Sequence, residues 1–155
     1  SKLTTNSVGN PVGAMTGQGS QVIAQDHRAR LIQVHIAKET CQVGLALHVN
    51  IAPVSGEEAS KWANADDRAV FEELEAKFHP RSGAADWRSS MAQDVVKGRH
   101  TEIEYMNGYT VQRGREVGVP TPVGAAIVEV VKQIDAGTLK PDPSNVERVL
   151  ELAGL

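Results

Sequence analysis

The chain has 155 residues, 41% apolar and 23% charged, with a net charge of −3; this suffices for one globular domain with its own core. Aromatic residues make up only 4%, and lysines and arginines are scattered among acids, which argues against a nucleic-acid surface of stacking rings or basic stripes. No apolar run approaches the ~20 residues of a membrane span, and the single cysteine, Cys41, excludes an internal disulfide and a cysteine-rich zinc site.

The opening residues carry no signal-peptide pattern, and a reducing cytoplasm is the expected location. Ser1-Lys2-Leu3 reads as helix interior with no cap before it, so the expectation is a domain cut from a longer protein. Lys2, Asn6 and Asn10 fall at i, i+4 and i+8 and share a helix face. Pro11 predicts a kink or helix end beside Asn10. A short turn over 12–16 and a loop through Gly17, Gly19 and Ser20 follow.

A long helix is expected over 21–48, broken near Asp26, with Leu31, Val34, Cys41 and Leu45 on one side. Ser55 and Glu58 have capping-box spacing and predict a short helix carrying Trp62. Asp66 is the expected cap of the next, whose apolar face is Val70, Phe71, Leu74 and Phe78.

Further on, 86–97 is read as a helix closed by Gly98. Thr101 and Glu104 suggest a second capping box, with Glu102 in the first turn of a helix that buries Ile103, Met106 and Val111 and ends at Gly118. Asn107-Gly108 is read as a glycine inside that helix, at a cost of roughly 1 kcal/mol relative to alanine. Thr121-Pro122 restarts a helix through Val123, Ile127, Val130, Val131 and Ile134 to Gly137. Ser144 with Glu147 opens a last one. No segment alternates convincingly as a strand does, so the expected fold is all-α, about seven to nine helices.

On spacing alone, the Lys2–Asn6–Asn10 row is either a solvated face or a row that holds a polar anion. A lysine in a partly dry cleft has a lowered pKa and can donate a proton. On spacing alone Ser90 reads first as a helix cap and Glu102 as a dipole partner. The five histidines stand alone in sequence, so neither a Ser-His-Asp set nor a metal site is expected. Gly17-x-Gly19 lacks the preceding strand and third glycine of a dinucleotide loop.

Three separated motifs, KLTTNSVGNP, SSMAQDVVKGRHTEIEYMNGY and REVGVPTP, occur in an order that resembles the C-terminal domain of ketopantoate reductase (2-dehydropantoate 2-reductase). The resemblance covers essentially the whole chain and implies a single helical substrate and dimerisation domain over 1–155, like the C-terminal domains of the 6-phosphogluconate dehydrogenase superfamily. It implies Lys2 as general acid to the ketone oxygen, Asn6 and Asn10 as substrate-binding amides, and Ser90 as the carboxylate-binding serine. Glu102 would lie where substrate and nicotinamide meet, a catalytic and cofactor-binding position. Asp94, Arg99 and Asn107 match motif positions whose expected part is to hold the helices. Ser20 stands where members often carry an asparagine and is the candidate substitute contact.

The implied cofactor is NADPH, bound mainly by a nucleotide-binding domain this chain does not supply. The implied partners are a small 2-keto acid and a second copy of the chain. Alone, the chain is expected to be inactive. The alternatives are a paralogous 2-keto acid reductase domain and a non-enzymatic helical dimerisation module.

Overall fold

The computed structural model describes the chain from Lys2 to Leu155, with side chains from Thr4 onward. Nine α-helices occur among the described residues: α1 Lys2–Thr16, α2 Ser20–Gln25, α3 His27–Ala46, α4 Ala59–Ala63, α5 Arg68–Glu75, α6 Ser90–Val96, α7 Tyr109–Val117, α8 Pro122–Asp135 and α9 Asn145–Ala153. The described residues form no strand; the one bridge, Val54 with Glu57, closes a tight turn. The all-α expectation therefore holds.

At the centre, α1 packs against α3, α6, α8 and α9. Val12 and Met15 of α1, Ile32, Val34 and Ile36 of α3, and Ile127, Val130 and Val131 of α8 form the middle of the core, each at most 1% exposed. The α3 face differs from the expected one: Val34 and Cys41 are buried, but Leu45 is 41% exposed. Neighbours on two sides of α3 bury Ile32, Ile36 and Ala37 as well, so one stripe does not describe it.

Pro11 does not end α1, which runs on to Thr16. A proline has no N–H to give to the carbonyl four residues back, here that of Ser7. The Asn107 side chain supplies the missing donor, its Nδ2 lying 3.0 Å from the Ser7 oxygen. Asn107 thus holds helices together across 100 positions of sequence.

Several expected caps are replaced by others. Ser55 sits in the left-handed region (φ 51°) of the 54–57 turn, and α4 begins only at Ala59. The cap of α5 is Asp67, whose carboxylate accepts from Val70 N, while Asp66 pairs with Lys38. The helix expected from 86 starts at Ser90, because Asp86 and Trp87 bond to α2 instead and Ser89 is the cap that accepts from Ala92 N.

Thr101 bonds to Asp135 of α8 through both its N–H and its hydroxyl, and Glu104 pairs with Lys132, so there is no capping box. The segment Glu104–Gly108 is one π-helical turn, closed by Gly108 N to Ile103 O at 2.9 Å. A Cβ on Gly108 would meet nothing nearer than 3.5 Å, so no close helix contact demands the glycine. Thr121 makes no side-chain cap on α8, and Ser144 none on α9.

Candidate active site

Asn6 and Asn10 lie on one face of α1, and Gly9 and Gly13 fall on the same face by helical spacing. Asn10 is 8% exposed and Asn6 is half-buried. The exposed Ser90 opens α6 directly opposite: Asn10 Nδ2 donates to Ser90 Oγ at 3.4 Å. Ser89, one residue earlier, is buried and donates to the Asn10 backbone carbonyl at 3.2 Å. The adjacent serines thus divide the work, one fixing α6 on α1 and the other facing the Asn10 amide.

Glu102 is exposed, in the bend before the π-turn, and its carbonyl accepts from Tyr105 N and Met106 N. That turn is tied to α1 by the Asn107–Ser7 bond. Ser90 and Glu102 therefore belong to two segments that both dock on the opening helix. Lys2, the expected proton donor, has its side chain outside the described residues. Asp94 and Arg99 pair with each other at 2.9 Å beyond α6, holding the loop that follows it.

Ser20 opens α2 and pairs with Trp87. Its N–H donates to the Trp87 carbonyl at 2.9 Å, and its hydroxyl accepts from Trp87 N at 3.3 Å. Between this pair and α1 lies a cleft of about 80 Å³ lined by Gly9, Gly13, Gln18, Ser20, Ile23, Gln33, Trp87 and Ser89. The sequence reading did not single out the cleft. The glycines at 9 and 13 interleave with the asparagines on one face, a pattern that was available; Trp87, in irregular coil, left no periodic signal.

The Gly17–Gly19 turn is no phosphate cradle. The Asp86 carboxylate lies where a Cβ of Gly19 would be and accepts from Gln21 N at 2.7 Å. An anion from the chain itself thus already occupies the start of α2. No group of three or more potential metal ligands occurs among the described residues. The Cys41 thiol is pushed up to about 11 by burial, which leaves it protonated and unreactive. No helix is long and apolar enough to cross a membrane among the described residues.

The most perturbed carboxyl lies elsewhere. Glu39 of α3 is 4% exposed and accepts from Val123 N at 2.9 Å and Gly124 N at 2.7 Å, capping α8 in place of Thr121. Burial pushes its carboxyl up to about 7 against the pull of those two N–H groups. With both oxygens occupied by backbone, its work is structural.

Comparison with known proteins agrees with this architecture. A 2-dehydropantoate 2-reductase of Pyrobaculum aerophilum is 29% identical over 131 residues, covering 84% of this chain and 40% of that protein. The chain thus spans well under half the length of this relative. Two solved structures share the fold. One is the ternary structure of D-mandelate dehydrogenase with NADH and anilino(oxo)acetate (TM-score 0.67, 22% identity, 88% of this chain, 50% of that one). The other is a dimeric ketopantoate reductase from Staphylococcus aureus (TM-score 0.64, 19% identity, 88% of this chain, 42% of that one). Residues 1–135 match the family described as the ketopantoate reductase PanE/ApbA C terminal, and the chain belongs to that family.

Proposed function

We propose that the chain is the substrate-binding domain, over 1–155, of a cytoplasmic NADPH-dependent 2-dehydropantoate 2-reductase, which reduces ketopantoate to pantoate on the route to pantothenate. The observation that carries this reading is the meeting of Asn10 with Ser90 across 80 positions of sequence. Two residues assigned to the substrate by motif alone turn out to be neighbours beside a cleft.

The described residues offer no seat for the phosphates of a nicotinamide nucleotide. The described residues contain no strand, and the one glycine turn that resembles a phosphate loop is filled by Asp86. The pyrophosphate is therefore left to a separate nucleotide-binding domain, and Glu102 is the candidate on this chain for the nicotinamide end. When bound, the reduced nicotinamide supplies hydride to the keto carbon.

The rest is this chain's work. Negative charge builds on the ketone oxygen as the carbon is reduced, and Lys2 Nζ stabilises that charge and gives up its proton there. Ser90 Oγ donates to the substrate carboxylate, while the Asn6 and Asn10 amides orient its oxygens. Holding the acid in one pose lowers the entropy left to lose on the way to the transition state. Homodimerisation is part of the proposal, supported by the dimeric relative.

The test joins the chain to its nucleotide-binding domain and follows NADPH oxidation with ketopantoate. Lys2→Ala is expected to lower kcat by about 10²-fold or more. An unchanged rate removes Lys2 as the acid, and no turnover of any 2-keto acid by the parent removes the reductase reading.

A further inference from the structure

The cleft beside Asn10 and Ser90 has the makings of a specificity pocket. Its floor is the α1 face at Gly9 and Gly13. A Cβ on Gly9 would meet nothing within 4 Å, whereas one on Gly13 would meet Ser89 Oγ at 2.9 Å, so the open part of the floor lies at Gly9. Its wall is Trp87, 58% exposed, whose backbone N–H and carbonyl both bond to Ser20 and anchor this stretch of main chain beside α2. Its ring offers a large apolar area at the edge of the cleft.

The polar lining divides into committed and uncommitted groups. The Ser20 hydroxyl accepts from Trp87 N, and the Ser89 hydroxyl bonds to Asn10 O and Ala92 N. The Gln33 carboxamide, by contrast, has no hydrogen-bond partner among the described residues. It is held on α3 between Ile32 and Val34, both 0% exposed. The volume, about 80 Å³, equals that of two to three liquid waters at ~30 Å³ each, enough for a branched arm of a few carbons.

From this we infer that Trp87, the α1 floor at Gly9 and Gln33 select the arm of the 2-keto acid: Trp87 and the open floor seat a branched apolar part, and Gln33 takes a hydroxyl at its end. The inference rests on the reductase reading, since Ser90 must hold the carboxylate for the arm to fall in the cleft.

The experiment measures kcat/KM in the assembled reductase for three acids: ketopantoate, 3-methyl-2-oxobutanoate (branched, no hydroxyl) and pyruvate (no arm). Trp87→Ala, and independently Gly9→Leu, which fills the cleft from its floor, should lower the branched-to-pyruvate ratio by about 10- to 100-fold. Gln33→Leu should reduce the preference for ketopantoate over 3-methyl-2-oxobutanoate by about 10²-fold, because a site that bonds a hydroxyl discriminates strongly against its absence. Ratios that stay fixed, or equal losses on all three acids, overturn the inference and leave the reductase reading standing. Failure of the parent enzyme to turn over any of the three sinks both.

Discussion

Asn10 meets Ser90 and Glu39 meets the start of α8 across similar spans of sequence, 80 and 85 positions, but the two contacts are built differently. At Glu39, both carboxylate oxygens take short bonds from buried backbone N–H groups, and the residue is sealed in. At Asn10, the amide makes one long bond to an exposed hydroxyl, next to an open cleft. A polar group saturated by backbone contributes to stability, whereas one that is loosely partnered at a surface keeps bonding capacity for a ligand. Burial or pKa shift alone would have pointed to Glu39; the availability of partners points to Asn10 and Ser90.

The sharpest test of the contrast is pH. The Glu39 carboxyl stands at about 7 in the folded chain, against ~4.3 for an unfolded glutamate. The folded state therefore holds the extra proton, and stability from this group is full below the unfolded value and is lost as pH rises from about 4.3 to about 7. The loss should reach about 3 kcal/mol. Urea unfolding of the parent and Glu39→Gln across pH 4–8 should show this slope in the parent and its absence in the variant. Parallel curves would mean the carboxyl is not perturbed.

Next in size is Asn107. Asn107→Ala takes the side-chain donor from the Ser7 carbonyl and should cost about 2 kcal/mol. In a Pro11→Ala background the backbone N–H returns, and the same change should cost less than half as much, a coupling read from the four-variant cycle. Additive costs would show that Asn107 acts elsewhere.

A smaller effect belongs to Gly9. Gly9→Ala gains helix propensity where a Cβ meets nothing, and chemical denaturation should find it stabilising by about 0.5–1 kcal/mol. Smallest of all should be the stability effect of Ser90→Ala, within about 0.5 kcal/mol. Its kcat/KM on ketopantoate in the assembled enzyme should nonetheless fall by about 10²-fold. A Ser90→Ala variant that unfolds readily but turns over normally would reverse the roles given to the two contacts.

Helices that carry their own punctuation were legible in the sequence. Gly98, Gly118 and Gly137 all take the left-handed conformation where a helix was expected to end, and the break at Asp26 follows from its own side chain capping α3. What was not legible came from elsewhere in the chain. Thr121 looks like a cap because spacing rules assume a local donor and acceptor, but Glu39 reaches the same N–H groups from α3. Asp86 does the same for α2, and Asn107 for the interior of α1. The Asn6–Asn10 row reads first as a solvated face, and nothing in its spacing announces that Ser90 stands across from Asn10. Trp87 gave no signal because its position depends on pairing with Ser20, not on a repeat.

The Asn107–Ser7 bond also bears on the order in which the molecule can be completed. One rung of the first helix is supplied by a residue 100 positions later. At ~5–20 residues per second on the ribosome, α1 waits several seconds before that rung exists. The face that carries Asn6 and Asn10 is therefore made well before it is braced.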